Sequence, residues 1–140
     1  PNAVRREYAL KCGADYAIDP IAEDAQAFIM DQTGLGADYA IDVVGSQMMA
    51  AIHAIRKGGA VLLFGNNAAA IPAVIQSQIT YKEARVLGTW LANASFDHAI
   101  KILASGVLKL DFLVTHTLPL EEIHGGDRHI KARGRCRSLG

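Results

Sequence analysis

The chain has 140 residues, 14 Lys+Arg against 14 Asp+Glu, a formal net charge of zero, and 51% hydrophobic residues. That is the composition of one ordinary globular domain, which at this size buries about 68–70% of its unfolded surface. No apolar run reaches the ~18 residues of a membrane span, and no charged-then-apolar leader is written in it. Cys12 and Cys136 stand far apart without a CxxC, which excludes a disulfide framework and a cysteine zinc site. A reducing, cytoplasmic setting is therefore the default expectation.

The neutral total hides a tilt. Arg128, Lys131, Arg133, Arg135 and Arg137 lie after every acidic residue, so the body carries −5 and the tail +5. A basic tail is either a nucleic-acid arm or a solvated terminus. With no interleaved aromatics and no binding motif, the solvated reading is preferred and no nucleic-acid partner is expected.

Pro1, where a complete gene product would open with Met, reads as the start of a piece of a longer chain. Asn2 is a cap for a helix in which Val4, Tyr8 and Cys12 recur at helical spacing, with Gly13 as its stop. Residues 15–19 read as a short strand. Ile21, Ala25, Phe28 and Ile29 form the apolar face of a second helix ending near Thr33-Gly34, and 38–44 reads as a strand followed by Gly45. Ser46 is the expected cap of a third helix with Met48, Ile52 and Ile55 inward, stopped at Gly58-Gly59. The continuous apolar run 60–64 fits a strand covered on both faces. Residues 86–90 make a weaker strand. Ser95 caps a fourth helix through Phe96, Ile100 and Leu103, which Gly106 closes.

Gly-Ala-Asp-Tyr-Ala-Ile-Asp occurs at 13–19 and again at 36–42. Each copy is a glycine turn feeding a strand, so a helix-turn-strand unit is built twice. Strands alternating with helices of this length predict a parallel sheet with helices on both faces.

In such sheets ligands bind past the carboxyl ends of the strands. Two of those ends carry glycine, Gly45 and Gly65, which reads equally as a place where a flat ligand approaches the backbone or as a pair of turn glycines. Ser46 opens a helix whose amide end favours an anion. Asp42 ends a strand beside that crevice, and capping a neighbouring turn is its more economical role. No catalytic constellation emerges. His53 sits among aliphatic residues, His98 faces solvent, His116 alternates outward on a strand at 113–116, and His124 and His129 lie in the glycine-rich basic tail. None has partners at metal-ligand spacing, so no metal is assigned. Glu121-Glu122 reads as a first helical turn.

Taken in order, Arg5-Arg6 with Gly13-Ala14-Asp15, Gly36-Ala37-Asp38 leading into Asp42-Val43-Val44-Gly45-Ser46, Arg56-Lys57-Gly58-Gly59 and Leu63-Phe64-Gly65 resemble the medium-chain, zinc-dependent alcohol dehydrogenases. Leu87-Gly88-Thr89, Leu103-Ala104-Ser105-Gly106, Val114-Thr115-His116 and Leu118 through Ile123 extend the resemblance over about residues 1–123, nearest the sorbitol and threonine dehydrogenase group. The family's zinc-carrying catalytic domain, the first two strands of its cofactor domain and the glycine-rich phosphate turn have no counterpart here. After Ile123 the family's amphipathic helix is replaced by Gly125-Gly126-Asp127-Arg128.

The resemblance implies an α/β fold: a partial doubly wound, Rossmann-like parallel sheet lacking its first two strands. It implies a partial dinucleotide-binding domain over 1–91 and a carboxyl-terminal segment over 92–140 that packs partly on the catalytic domain. With both missing strands lying between 15–19 and 38–44, those two segments should not pair. The implied activity is hydride transfer between a nicotinamide cofactor, NAD in preference to NADP, and a secondary alcohol or polyol. Zinc is implied for the longer enzyme, with ligands outside this chain. A zinc-free quinone or enoyl reductase of the same fold, or a stand-alone binding or oligomerisation module, are the alternatives. By the same resemblance Arg5 stands near the adenosine ribose and Val43, Gly45 and Ser46 beside the adenine. Phe64, Gly65 and Asn66 run past the nicotinamide, Thr89, Trp90 and Leu91 reach its carboxamide, and Arg137 matches a pyrophosphate contact. A homo-oligomer seam is implied at 71–89.

Overall fold

The computed structural model describes residues 2–90, 95–108, 110–114 and 117–122. They belong to two units, Pro1–Asp97 and His98–Gly140.

The first unit opens with α1 (Ala3–Lys11), capped as its sequence requires: Asn2 Oδ1 accepts the Arg5 N–H at 3.1 Å. The chain leaves α1 at Gly13 and runs through 14–19 without forming a strand. This corrects the expected strand at 15–19. A strand exists only as part of a ladder, and here the segment is tied down by side chains instead. The Tyr16 ring meets Phe28 edge-on at 5.3 Å, and Arg6 pairs with Asp19 at 2.7 Å. Helix α2 (Ala25–Thr33) starts four residues later than the apolar pattern suggested, because Asp24 accepts the N–H groups of Gln26 and Ala27 at 2.9 and 3.0 Å. Ile21 is left outside it, 81% exposed.

The sheet follows. Strand β1 (Ala37–Asp42), helix α3 (Met48–Ala54), strand β2 (Ile55–Leu63), helix α4 (Gln76–Lys82) and strand β3 (Arg85–Gly88) make two successive crossovers. All pairing is parallel, in the order β1-β2-β3. Several boundaries differ from expectation: β1 ends at Asp42 and not at 44, β2 begins at Ile55 and not at 60, and β3 spans 85–88 and not 86–90. Helix α3 begins after Gln47, not after Ser46, and Ile55 already belongs to β2. Ala37 pairs with Ile55 but Tyr39 pairs with Ala60, so Arg56 to Gly59 bulge out of the ladder, with Gly58 at φ +74° where a side chain would be strained. The glycine pair that read as a helix stop is a bulge within a strand.

Ile52 of α3, Ile55 and Val61 are fully buried and form the core. Ala40, Met48, Met49, Leu63, Ile79 and Val86 pack around them. Each buried aliphatic side chain of this kind contributes about 1.5–3 kcal/mol. Alternation then fixes the opposite face: Tyr39, Ile41 and Leu87 are 73%, 59% and 53% exposed. The expectation that 60–64 is covered on both faces is thus corrected for this unit. Both crossovers run in the same direction along the sheet, and crossovers of one hand place α3 and α4 on one face.

Helix α5 (Phe96–Ala104), whose residues from His98 onward belong to the second unit, carries Phe96, Ile100 and Leu103 at helical spacing, and Gly106 follows it as expected. Leu113 lies in a short 3-10 turn, Asp111–Leu113, and so does not begin the strand expected at 113–116; a second such turn spans Leu120–Glu122. His116, His124, His129, Leu91, Arg137 and the rest of the basic tail lie outside the described residues.

Candidate functional site

Register brings the strand ends level: Asp42 is opposite Leu63, and Leu63 is opposite Gly88. The loops 43–47, 64–67 and 89–90 therefore leave the sheet side by side at its carboxyl end. They are joined by backbone bonds that continue the ladder. The N–H groups of Phe64 and Gly65 donate to the Asp42 carbonyl at 3.0 and 2.8 Å, and the Thr89 N–H donates to the Leu63 carbonyl at 3.2 Å.

The Asp42 side chain organises the first loop from beneath. It is only 4% exposed. One carboxylate oxygen accepts the N–H groups of Val44 and Gly45 at 2.9 and 2.8 Å, and the other accepts Gln47 N–H at 2.7 Å. Burial, the largest single influence, pushes its pKa up; the amides of Gly45, Gln47 and Val44 together outweigh it and hold the carboxyl below its ordinary 3.8. The turn-capping role expected for Asp42 is what the geometry shows. Ser46 is not the helix cap: its hydroxyl accepts the Gln47 side-chain amide at 3.2 Å, and Gln47 N–H goes to Asp42.

The two loops are then locked face to face. A Cβ on Gly45, which has φ +82°, would fall 2.7 Å from both Asn67 N and Gly65 O. A Cβ on Gly65 would fall 2.6 Å from Val43 O. Both glycines are therefore required by loop-on-loop packing. What the clasp leaves outward is apolar: Val43, Val44, Phe64 and Trp90 are 66%, 56%, 64% and 67% exposed.

Of the residues singled out from sequence, Val43, Gly45, Ser46, Phe64, Gly65, Asn66, Thr89 and Trp90 come to this one end of the sheet. Arg5 belongs to α1, exposed, with its backbone N–H on Asn2. His53 is on α3, where its carbonyl accepts the Lys82 ammonium at 2.6 Å, and His98 is exposed on α5. That lysine and its helix α4 were not anticipated, because a seven-residue helix with no capping side chain leaves little pattern to read. Among the described residues no group of three or more His, Cys, Asp or Glu is placed to hold a metal ion. Nor, among them, is any helix long and apolar enough to cross a membrane.

Residues 1–105 match the family described as zinc-binding dehydrogenase. The chain belongs to that family. It is 36% identical over 125 residues to the erythritol/L-threitol dehydrogenase of Mycolicibacterium smegmatis, an alignment covering 84% of this chain and 33% of that protein. Among solved structures, alcohol dehydrogenase TADH from Thermus sp. ATN1 superposes with a TM-score of 0.79 at 28% identity, covering 94% of this chain and 40% of that one. The short chain alcohol dehydrogenase of E. coli CFT073, complexed with NADH, superposes with a TM-score of 0.80 over 96% of this chain and 40% of that one. At 24% identity that second likeness shows the fold alone. The chain thus spans about a third of the length of the curated relative it matches. The solved alcohol dehydrogenase TADH shares the α/β parallel-sheet fold seen here.

Proposed function

We propose that this chain supplies one wall of a nicotinamide-dinucleotide crevice in an oxidoreductase that passes hydride between the cofactor and a secondary alcohol or polyol. The observation that carries the reading is the level carboxyl end of β1, β2 and β3, where the loops that follow the strands leave Val43, Val44, Phe64 and Trp90 exposed. An apolar rim on a rigid backbone shelf suits a flat aromatic ring, and strand carboxyl ends are where open α/β sheets bind such ligands. The family and the polyol-dehydrogenase relative support the substrate class and a nicotinamide cofactor, and NAD is preferred to NADP on the family resemblance alone.

When bound, the nicotinamide accepts or releases the hydride. This chain's own residues bind and orient. Gly45 and Gly65 fix the spacing of the two loops, Asp42 holds the first of them, and the exposed apolar side chains exclude water from the ring. Because no metal-ligand cluster is found among the described residues, no step is assigned to zinc here. The test is an amide-NMR titration of the chain with NADH at millimolar concentrations. Shifts confined to 43–47, 64–66 and 89–90 support the reading; shifts elsewhere, or none, defeat it.

A further inference from the structure

The buried carboxylate of Asp42 and the turn it holds go beyond this reading and rest on it. We infer that Asp42 is a positioning residue that pre-fills the amide pocket of the 43–47 turn, so that this end of the crevice receives an uncharged ring or ribose of the dinucleotide and refuses its phosphates.

The turn has the makings of an anion site. The N–H groups of Val44, Gly45 and Gln47 converge on one point just past a strand and just before a helix, an arrangement that in other parallel sheets receives phosphate. Here the point is already occupied from within the chain. All three amides end on Asp42, at 2.7 to 2.9 Å. A phosphate arriving at the turn would find its donors taken and a buried negative charge behind them, and repulsion between like charges is strongest where water is excluded. The carboxylate costs nothing to an uncharged ring. By fixing the three amides it sets the path of Val43 and Val44, and through Gly45 it sets the contact with Gly65 and Asn67. The same residue thus shapes the shelf and selects the chemistry that rests on it.

The test is amide NMR on the 140-residue chain, wild type and Asp42→Asn, with NADH, adenosine, nicotinamide riboside and inorganic pyrophosphate as separate probes. In the wild type, NADH and at least one nucleoside should shift Gly45 and Gly65, while pyrophosphate leaves Val44, Gly45 and Gln47 unmoved. Asp42→Asn keeps the size but must turn an N–H toward one of the three donors. Its Gln47 amide should exchange faster, and its NADH affinity should fall about fivefold, the factor that one lost hydrogen bond is worth. Protection at Val61 should be unchanged, since a change there would report a general loss of structure.

Unchanged NADH affinity in a folded Asp42→Asn chain would overturn the inference alone. So would pyrophosphate shifts at Gln47 and Val44 in the wild type, an arm that stands even if the variant does not fold. If NADH and both nucleosides leave the three loops unmoved in the wild type, the dinucleotide reading itself falls and takes the inference with it.

Discussion

Lys82 reaches from the end of α4 to the end of α3, where its ammonium donates to the carbonyls of His53, at 2.6 Å, and Ile55. Those carbonyls sit where α3 gives way to β2, at the negative end of a helix dipole. One cation therefore ties together the two crossover helices and the start of the central strand. Lys82→Met keeps the aliphatic stem and removes both bonds. Charge-assisted hydrogen bonds are worth about 1.5–3 kcal/mol each when sheltered, and Lys82 is half-buried, so a loss of about 1–2 kcal/mol in total is expected in urea unfolding. An unchanged midpoint would show that water replaces the clamp without cost.

The clasp between the strand-end loops gives a sharper contrast. Gly65→Ala forces a methyl against the Val43 carbonyl, which is backbone and cannot rotate away. Overpacking of this kind costs about 1–3 kcal/mol. Gly88→Ala is the control: a Cβ there meets nothing within 4 Å, so its stability should stay within about 0.5 kcal/mol of wild type. Equal unfolding midpoints for the two variants would mean that the loops separate freely.

The duplicated heptapeptide shows why some of this was legible in the sequence and some was not. Gly-Ala-Asp-Tyr-Ala-Ile-Asp at 36–42 becomes β1, and the same seven residues at 13–19 become no strand at all. Local propensity is identical; what differs is that β2 lies beside Tyr39 to Asp42 and offers them a ladder. The terminal aspartates diverge for the same reason: Asp42 turns under the loop and takes three amides, whereas Asp19 takes the Ile21 N–H and Arg6. Features set within a few residues could be read directly, such as the Asn2 cap, the inward Ile52 and the turn-capping role of Asp42. The clasp between Gly45 and Gly65 joins loops twenty residues apart in sequence and depends on register, which no local pattern encodes.

Acid should lower the stability of the chain in part through Asp42. The Asp42 carboxyl titrates below 3.8 in the folded chain, so its contribution is fully present above the ordinary carboxylate range. As pH falls below that range the unfolded state takes up its proton first, and stability declines until the lower folded pKa is passed. Asp42→Asn cannot titrate, so part of this acid-limb slope should vanish in the variant, together with a loss of stability at neutral pH. Parallel acid limbs for variant and wild type, read from urea midpoints across the acid range, would show that other carboxylates carry the slope.

The 140-residue chain alone should turn over no alcohol and bind NAD only weakly. A dinucleotide is anchored chiefly by its pyrophosphate, held on backbone amides at a helix amino end. The amides that converge past β1 are spent on Asp42. What remains is ring contact with Val43, Val44 and Phe64. Calorimetry returning a micromolar dissociation constant for NAD would reveal a phosphate anchor elsewhere in the chain.

The apolar surface before β3 predicts self-association. Strand β3 is the last in the sheet order, and the segment leading into α4 places Ile71, Val74 and Ile75 at 94%, 55% and 50% exposure. Leu87, on β3 itself, is 53% exposed. An edge strand flanked by unburied aliphatics is a template for a second strand, and a twofold seam satisfies both copies at once. Ile75→Glu puts a charge into that seam, where two copies would set like charges against each other, and should move the chain from dimer to monomer in sedimentation velocity. Ile21→Glu is the matched control, since Ile21 is equally apolar, 81% exposed and remote in sequence from β3. If both variants sediment as the wild type does, the seam is not at 71–89; if Ile21→Glu alone dissociates the chain, association runs through the segment between α1 and α2.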